Sequence, residues 1–345
     1  MIRICTSLQQ AGYEVTLIGR TKKQSKPLDP KPFKQKRLYC FFQKGKFFYI
    51  EYNIRLFFYL LIVKTDLFCA IDLDTILPNL FASKIRRKLR VYDAHELFCE
   101  MEEIISRPRI FKLWKAIERY AVPQFPHGYT IGDCYAQAFY EMYQVKYEVV
   151  RNATFLQAHQ KPLQTNNKYI LYQGAVNEGR SFETLIPAMK EVDLQTHHLR
   201  GRQFFEQAKA LVIAHQLQDK IEFKGYVEPS QLRLYTQQAT IGITLFTNQG
   251  KSNFLSMANR FFDYMHAGVP QLCVAFPEYK KVNEQFEISY LIEDTHENTI
   301  SQALNNLLND HALYQHLQQQ CLKAREVYCW QQEEIKLISF YKSIF

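Results

Sequence analysis

The 345-residue sequence has no cysteine pair at a spacing that closes a zinc site or a redox turn. Its eight cysteines, Cys5, Cys40, Cys69, Cys99, Cys134, Cys273, Cys321 and Cys329, are scattered. That argues against a disulfide-stapled secreted scaffold and reads as reduced, mostly buried thiols of a cytosolic protein. Long apolar runs are also missing. The longest, Leu56–Val63 (LFFYLLIV), falls well short of the roughly twenty residues that cross a bilayer. A signal peptide is not expected, because Arg3 follows almost at once and the first residues carry an amphipathic helical pattern. No cluster of His, Cys, Asp or Glu has metal-ligand spacing, so no metal is expected.

What is present is a globular composition. Hydrophobic residues make up 47%, with 26 Phe and 22 Tyr, against 22% charged, which excludes a disordered chain. The length suits two domains, each with its own apolar centre. The formal charge of +9 is uneven: 21–37 holds seven Lys/Arg against one Asp, and 84–90 (KIRRKLR) holds five. Two readings stand side by side, a solvated loop with an exposed helix end, or a basic face for anionic headgroups or a phosphorylated substrate. Nucleic acid is not expected as a partner, because no recognisable nucleic-acid module accompanies the charge.

Strand-like runs alternate with helical patterns almost from end to end, the signature of parallel sheets wound with helices. In the first half the expected strands are 14–19, 37–42, 67–71, 90–93 and 128–132, with helices at 46–64, 77–88 and 109–122. In the second half they are 169–173, 194–199, 221–224, 240–246, 271–276 and 289–292, each followed by a helical pattern, although Pro187 interrupts one. The polar stretch 157–168 reads as a linker. The expected organisation is therefore a first Rossmann-like domain over 1–156, the linker 157–168, a second over 169–326 and a closing helix over 327–345. Residues 2–11 already form a helix, whereas a βαβ domain should open on a strand, so the first strand is expected upstream of Met1.

The segment "ANRFFDYMHAGVP" (258–270) reads as an amphipathic helix stopped at Gly268 and Pro270, with Asn259, Arg260 and Asp263 among aromatic neighbours. It follows the strand at 240–246, so its N-terminus lies at the carboxyl end of a parallel strand, where open α/β sheets bind ligands. Free N–H groups there suit a diphosphate, and a carboxylate one turn inside can accept both hydroxyls of a ribose. The alternative is a solvated Arg260–Asp263 pair on a core helix. Arg180 follows the strand at 169–173 and a loop containing Gly174 and Gly179, where guanidinium and backbone can both reach phosphate oxygens. His95, at the carboxyl end of the strand at 90–93, is either a catalytic group or a packed histidine, and Glu96 beside it is either its companion or a helix cap. Asp72-Leu73-Asp74 has a metal-binding Asp-x-Asp form, but the surrounding layout does not support that use; Asp74 reads as a residue of a helix N-cap region or an acceptor contact.

In order, 170–186 (ILYQGAVNEGRSFETLI), 221–227 (IEFKGYV) and 252–277 (SNFLSMANRFFDYMHAGVPQLCVAFP) resemble the donor half of GT-B glycosyltransferases, the family 4 retaining enzymes of bacterial polysaccharide and lipid-linked glycan synthesis. "SLQQAGYEVTLIGR" and "VYDAHELFCE" resemble that family's first domain, "RNATF" its domain-boundary turn, and Trp330 the opening of its closing helix. The likeness covers nearly the whole chain.

The resemblance implies two Rossmann-like domains, a cleft between them, and a last helix crossing back to the first. It implies retaining transfer of a sugar from a nucleotide-diphosphate sugar to a hydroxyl, without metal or cofactor. Donor contacts would come from Gly174, Arg180, Asn253, Ser256, Asn259, Arg260 and Asp263, the acceptor side from Asp74, and catalytic help from His95 and Glu96. The chain departs from the family at Ala175, where an Arg is usual, and at Leu255, where a Glu is usual; Asn253, Ser256 and Asn259 then stand in towards the sugar. Rival readings are a nucleotide-sugar epimerase and a non-catalytic or truncated sugar-nucleotide binder. The expected partners are a nucleotide sugar, a glycan or lipid-linked acceptor, and an anionic membrane surface reached through 21–37 and 84–90. The expected location is the cytoplasm, on the inner face of the membrane.

Overall fold

The structure, a computed structural model, describes residues 1–23, 25–158, 168–192, 194–201 and 204–345. Most of the expected linker, 159–167, lies outside the described residues. The chain forms two compact units, Met1–Arg151 with Glu333–Phe345, and Asn152–Gln332. Residues 152–157 belong to the second unit for a visible reason: the Thr154 carbonyl accepts from Trp330 N (2.9 Å), and Arg325 donates to the Gln157 carbonyl (2.9 Å).

The first unit runs α1 (Ile2–Gln10), β1 (Thr16–Thr21), β2 (Lys34–Tyr39), α2 (Gly45–Ile62), β3 (Leu67–Ile71), α3 (Ile76–Arg86), β4 (Leu89–Ala94), α4 (Glu102–Ile105), α5 (Pro108–Ala121), β5 (His127–Thr130), α6 (Asp133–Tyr143) and β6 (Glu148–Val149). All its strand pairs are parallel, as the alternation of strand and helix dictates. They form two sheets, β1-β2 and β3-β4-β5-β6. Among the described residues β1 pairs only with β2, and β3 only with β4. A cavity of 1220 Å³ touches both unpaired edges, at Leu17 and Ile18 on one side and Leu67 and Cys69 on the other, with Ile4 and Leu56 from flanking helices. This slot runs along the unpaired edges of β1 and β3.

The second unit runs β7 (Tyr169–Val176), α7 (Phe182–Ala188), β8 (Gln195–Gly201), α8 (Phe205–Ala214), β9 (Ile221–Gly225), α9 (Pro229–Gln238), β10 (Ile241–Thr244), α10 (Lys251–Leu255), α11 (Asn259–Ala267), β11 (Gln271–Val274), α12 (Pro277–Gln285), β12 (Ser289–Ile292), α13 (Glu297–Asn309) and α14 (His311–Val327). A final helix, α15 (Trp330–Ile344), starts here and ends in the first unit, where Glu333 accepts from Arg151 N (2.9 Å) and Phe340 packs edge-on against Tyr129. The six strands form one parallel sheet in the order β12-β11-β10-β7-β8-β9. Strands β10 and β11 are buried throughout and β7 nearly so, as the centre of a sheet covered on both faces requires. Because β7 comes first in sequence yet sits centrally, strand order reverses between β7 and β10. That reversal creates a crevice at their carboxyl ends.

Candidate functional site

The loops leaving β7 and β10 meet at this crevice. Thr247 N donates to the Gly179 carbonyl (3.1 Å), and Arg180 Nη1 donates to Asn253 Oδ1 (3.2 Å) while its guanidinium lies 4.3 Å from the Phe246 ring centre. Ser256 Oγ donates to the Asn253 carbonyl at 3.0 Å, closing the short α10 turn; Leu255 is half-buried at its end. Gly174 has φ +140°, and a Cβ there would meet Arg260 Nη1 at 3.3 Å, so a larger residue would be strained and crowded. Ser181, at φ 57°, turns the chain into α7.

Helix α11 begins at Asn259, which is exposed, with no side chain capping its first turn. Its leading N–H groups are thus not taken by a cap, the condition for receiving an anion. Arg260 is buried, its guanidinium 4.6 Å from the Tyr172 ring and 4.7 Å from that of Phe246, donating to Tyr172 Oη and the Leu245 carbonyl, both at 3.3 Å. It is a fixed charge beneath the Gly174 turn, not a surface arm.

Asp263 is held at both oxygens: Oδ1 accepts from Thr154 Oγ1 and Oδ2 from Gln173 Nε2, each at 2.6 Å. Gln173 is fixed in turn by Thr236 Oγ1 (2.7 Å). A carboxylate oxygen has a second lone pair, so this clamp sets its direction without exhausting it. Four buried polar atoms in the crevice's loops and α11 have no hydrogen-bond partner in the protein: Asn177 Oδ1, Ser181 Oγ, Thr247 Oγ1 and Arg260 Nε. Native interiors seldom leave such atoms unmatched except where water, an ion or a ligand belongs. Sequence reading missed Gln173, Asn177, Ser181 and Thr247. Gln173 alone carried a signal, a polar residue closing an apolar strand just before Gly174.

In the first unit a second polar group collects at the carboxyl ends of β3 and β4. His95 Nε2 lies 3.0 Å from Asp93 Oδ1, whose Oδ2 accepts from Tyr129 Oη (2.9 Å), and His95 N donates to Asp72 Oδ1 (2.8 Å). Burial opposes a charge on His95, yet Asp93 and then Asp72 outweigh it and raise its pKa above the ordinary histidine value. Burial pushes the Asp72 carboxyl up to about 7, against the pull of His95, and Asp74 up to about 6. Asp74 sits in the tight turn Leu73–Thr75, in the N-cap region of α3 and one residue before its N-cap Thr75. Glu96 is exposed and occupies neither of the next two N-cap positions, which belong to Leu97 and Met101. The capping alternative for Glu96 is therefore corrected: the helical turns start after it. Among the described residues no group of three or more His, Cys, Asp or Glu is arranged to hold a metal ion.

Two parallel α/β units, the second with its crevice at the β7–β10 reversal, and a last helix returning to the first define the GT-B class of glycosyltransferases. Solved structures of that class superpose on the chain. Sucrose-phosphate synthase from Thermosynechococcus elongatus is 15% identical, with 99% of this chain and 92% of that one covered at a TM-score of 0.82. HepE from Anabaena, in complex with UDP and glucose, is 12% identical, covering 90% and 87% at 0.73. WaaG, a glycosyltransferase involved in lipopolysaccharide biosynthesis, is 12% identical, covering 98% and 93% at 0.69. Residues 155–324 match the family model for glycosyl transferases group 1, and the chain is a glycosyltransferase of that group. No curated protein sequence matches it.

Proposed function

We propose that the protein transfers a sugar from a nucleoside-diphosphate sugar to a hydroxyl acceptor with retention of anomeric configuration, in the assembly of a cell-surface glycan. One observation carries the reading: the uncapped start of α11, Arg180 and four unmatched buried polar atoms surround one crevice in the second unit. The UDP and UDP-glucose complexes of HepE, which shares the fold, support a uridine-type donor.

In this reading the ribose hydroxyls donate to Asp263, whose direction is set by Thr154 and Gln173. The diphosphate lies against the α11 N-terminus and Arg180, with the buried charge of Arg260 behind the Gly174 turn. Asn253, Ser256 and Asn259 face the sugar. As the glycosidic C–O bond breaks, charge builds on the leaving phosphate oxygen, and these fixed positive groups stabilise it. The acceptor oxygen bonds to the anomeric carbon on the same face and passes its proton to the departing phosphate oxygen. No metal or further cofactor takes part as proposed. His95, paired with Asp93, and Glu96 and Asp74 serve the sugar and acceptor side, and the acceptor is a lipid-linked glycan at the inner face of the membrane.

Isothermal titration with UDP tests the donor site. The parent should bind, and Asp263→Ala and Arg180→Ala should each weaken binding by roughly tenfold, the loss of one charge-assisted contact. Undiminished binding by Asp263→Ala would remove the ribose role. A parent that binds no nucleoside diphosphate would sink the proposal.

A further inference from the structure

Helix α2 is apolar on both of its sides. Phe48, Leu56 and Leu60 face inward and are buried, whereas Phe47, Ile50, Ile54, Phe58 and Ile62 are between 52 and 80% exposed. Spacings of three and four residues put these five on one stripe along the whole helix. Apart from Lys46, Asn53 and the paired Glu51 and Arg55, α2 is apolar on both faces, a pattern that suits a protein interior or lipid. None of the helices is long and apolar enough to cross a membrane, among the described residues.

The apolar stripe is part of a wider face. Helix α3 packs on α2 and α5 on α3, and Phe81 meets Tyr120 across the second contact, ring centres 6.4 Å apart. Right-handed crossovers that step the same way, β3 to β4 and β4 to β5, put α3 and α5 on one side of the sheet. They add exposed Phe81, Ile85, Leu113 and Tyr120. The exposed charges on the three helices are cationic: Lys46, Lys84, Arg109, Lys112 and Arg119. The acidic residues within them, Glu51 and Glu118, are each held in an ion pair, with Arg55 and Lys115.

We propose that this face docks on an anionic lipid bilayer, with α2 lying in the headgroup plane, its Phe47-to-Ile62 stripe inserted and the α3 and α5 cations against the lipid phosphates. A second copy of the same face would set cations against cations with no free acid to answer them. A nucleic-acid backbone would leave the apolar stripe in water. The inference rests on the membrane side of the proposed function and is independent of the donor crevice.

Co-sedimentation with vesicles of phosphatidylcholine alone, or of phosphatidylcholine mixed with anionic phosphatidylglycerol, supplies the test. The parent should pellet with the anionic vesicles and lose that preference in high salt. Phe58→Glu and Ile54→Glu, at exposed positions, should lower binding on the order of tenfold or more without changing thermal unfolding. Lys112→Gln should lower it about fivefold, the worth of one cation at the surface. Equal binding to both vesicle types, or unchanged binding by Phe58→Glu, would overturn the proposal. So would a parent dimer that Phe58→Glu dissolves in the absence of vesicle binding, which would assign the face to a second copy. UDP titration of Phe58→Glu keeps the two readings apart, because its donor crevice should be intact.

Discussion

Asp263 illustrates how a single residue is made specific by partners remote in sequence. Its helix position and acidity were legible in the sequence, but Gln173 and Thr154, 90 and 109 residues away, were not, because hydrogen bonds across a sheet leave no local pattern. Tyr264, the next residue, is locked by accepting from Gln173 N (3.0 Å) and donating to the Leu171 carbonyl (2.8 Å), with its ring under Gly242. A Cβ at Gly242 would lie 2.5 Å from that ring, which cannot retreat. Gly242→Ala should cost about 1–3 kcal/mol in chemical denaturation. Asp72 governs a pH effect. Its carboxyl holds a proton more tightly folded than unfolded, so the stability it contributes is complete below 3.8 and lost as pH rises through about 7. His95, also raised, acts in the same sense as pH climbs past 6.5. Melting temperature should fall between pH 5 and pH 8, and Asp72→Asn, which keeps an acceptor for His95 N, should flatten that fall.

Among the elements, period carried most of the information. Strand β3 (LFCAI) is a short run of apolar residues whose burial alternates, and the expected strands 67–71 and 289–292 coincide with those observed. Elsewhere pairing moved the ends: β2 begins at Lys34, three residues before the expected 37, because it runs in register with β1 from Thr16 opposite Lys34. Helix α6 and strand β6 had no expectation at all; Asp133–Tyr143 mixes tyrosines with polar residues and gives a blurred stripe. Pro187 left α7 short, at Ala188, since a proline supplies no N–H to carry the helix on. Trp330, fully buried, opens α15 with its N–H on Thr154 and its ring edge-on to Phe155 (6.2 Å). Trp330→Ala should destabilise the second unit by about 3–5 kcal/mol, read by urea denaturation followed at β7–β12.

For the whole molecule, the order of strands and helices announced two parallel α/β units, and the central place of β7 located the crevice before any side chain was considered. In the first unit β1 and β3 each keep one unpaired edge among the described residues, and the slot touches both. Amide exchange gives the check: N–H groups of β1 and β3 that face the slot should exchange faster than those of β4, which is paired on both sides. Because Thr154 and Gln173 already hold the Asp263 carboxylate in one direction, a ligand meeting that carboxylate would cost it little side-chain freedom, which favours tight association.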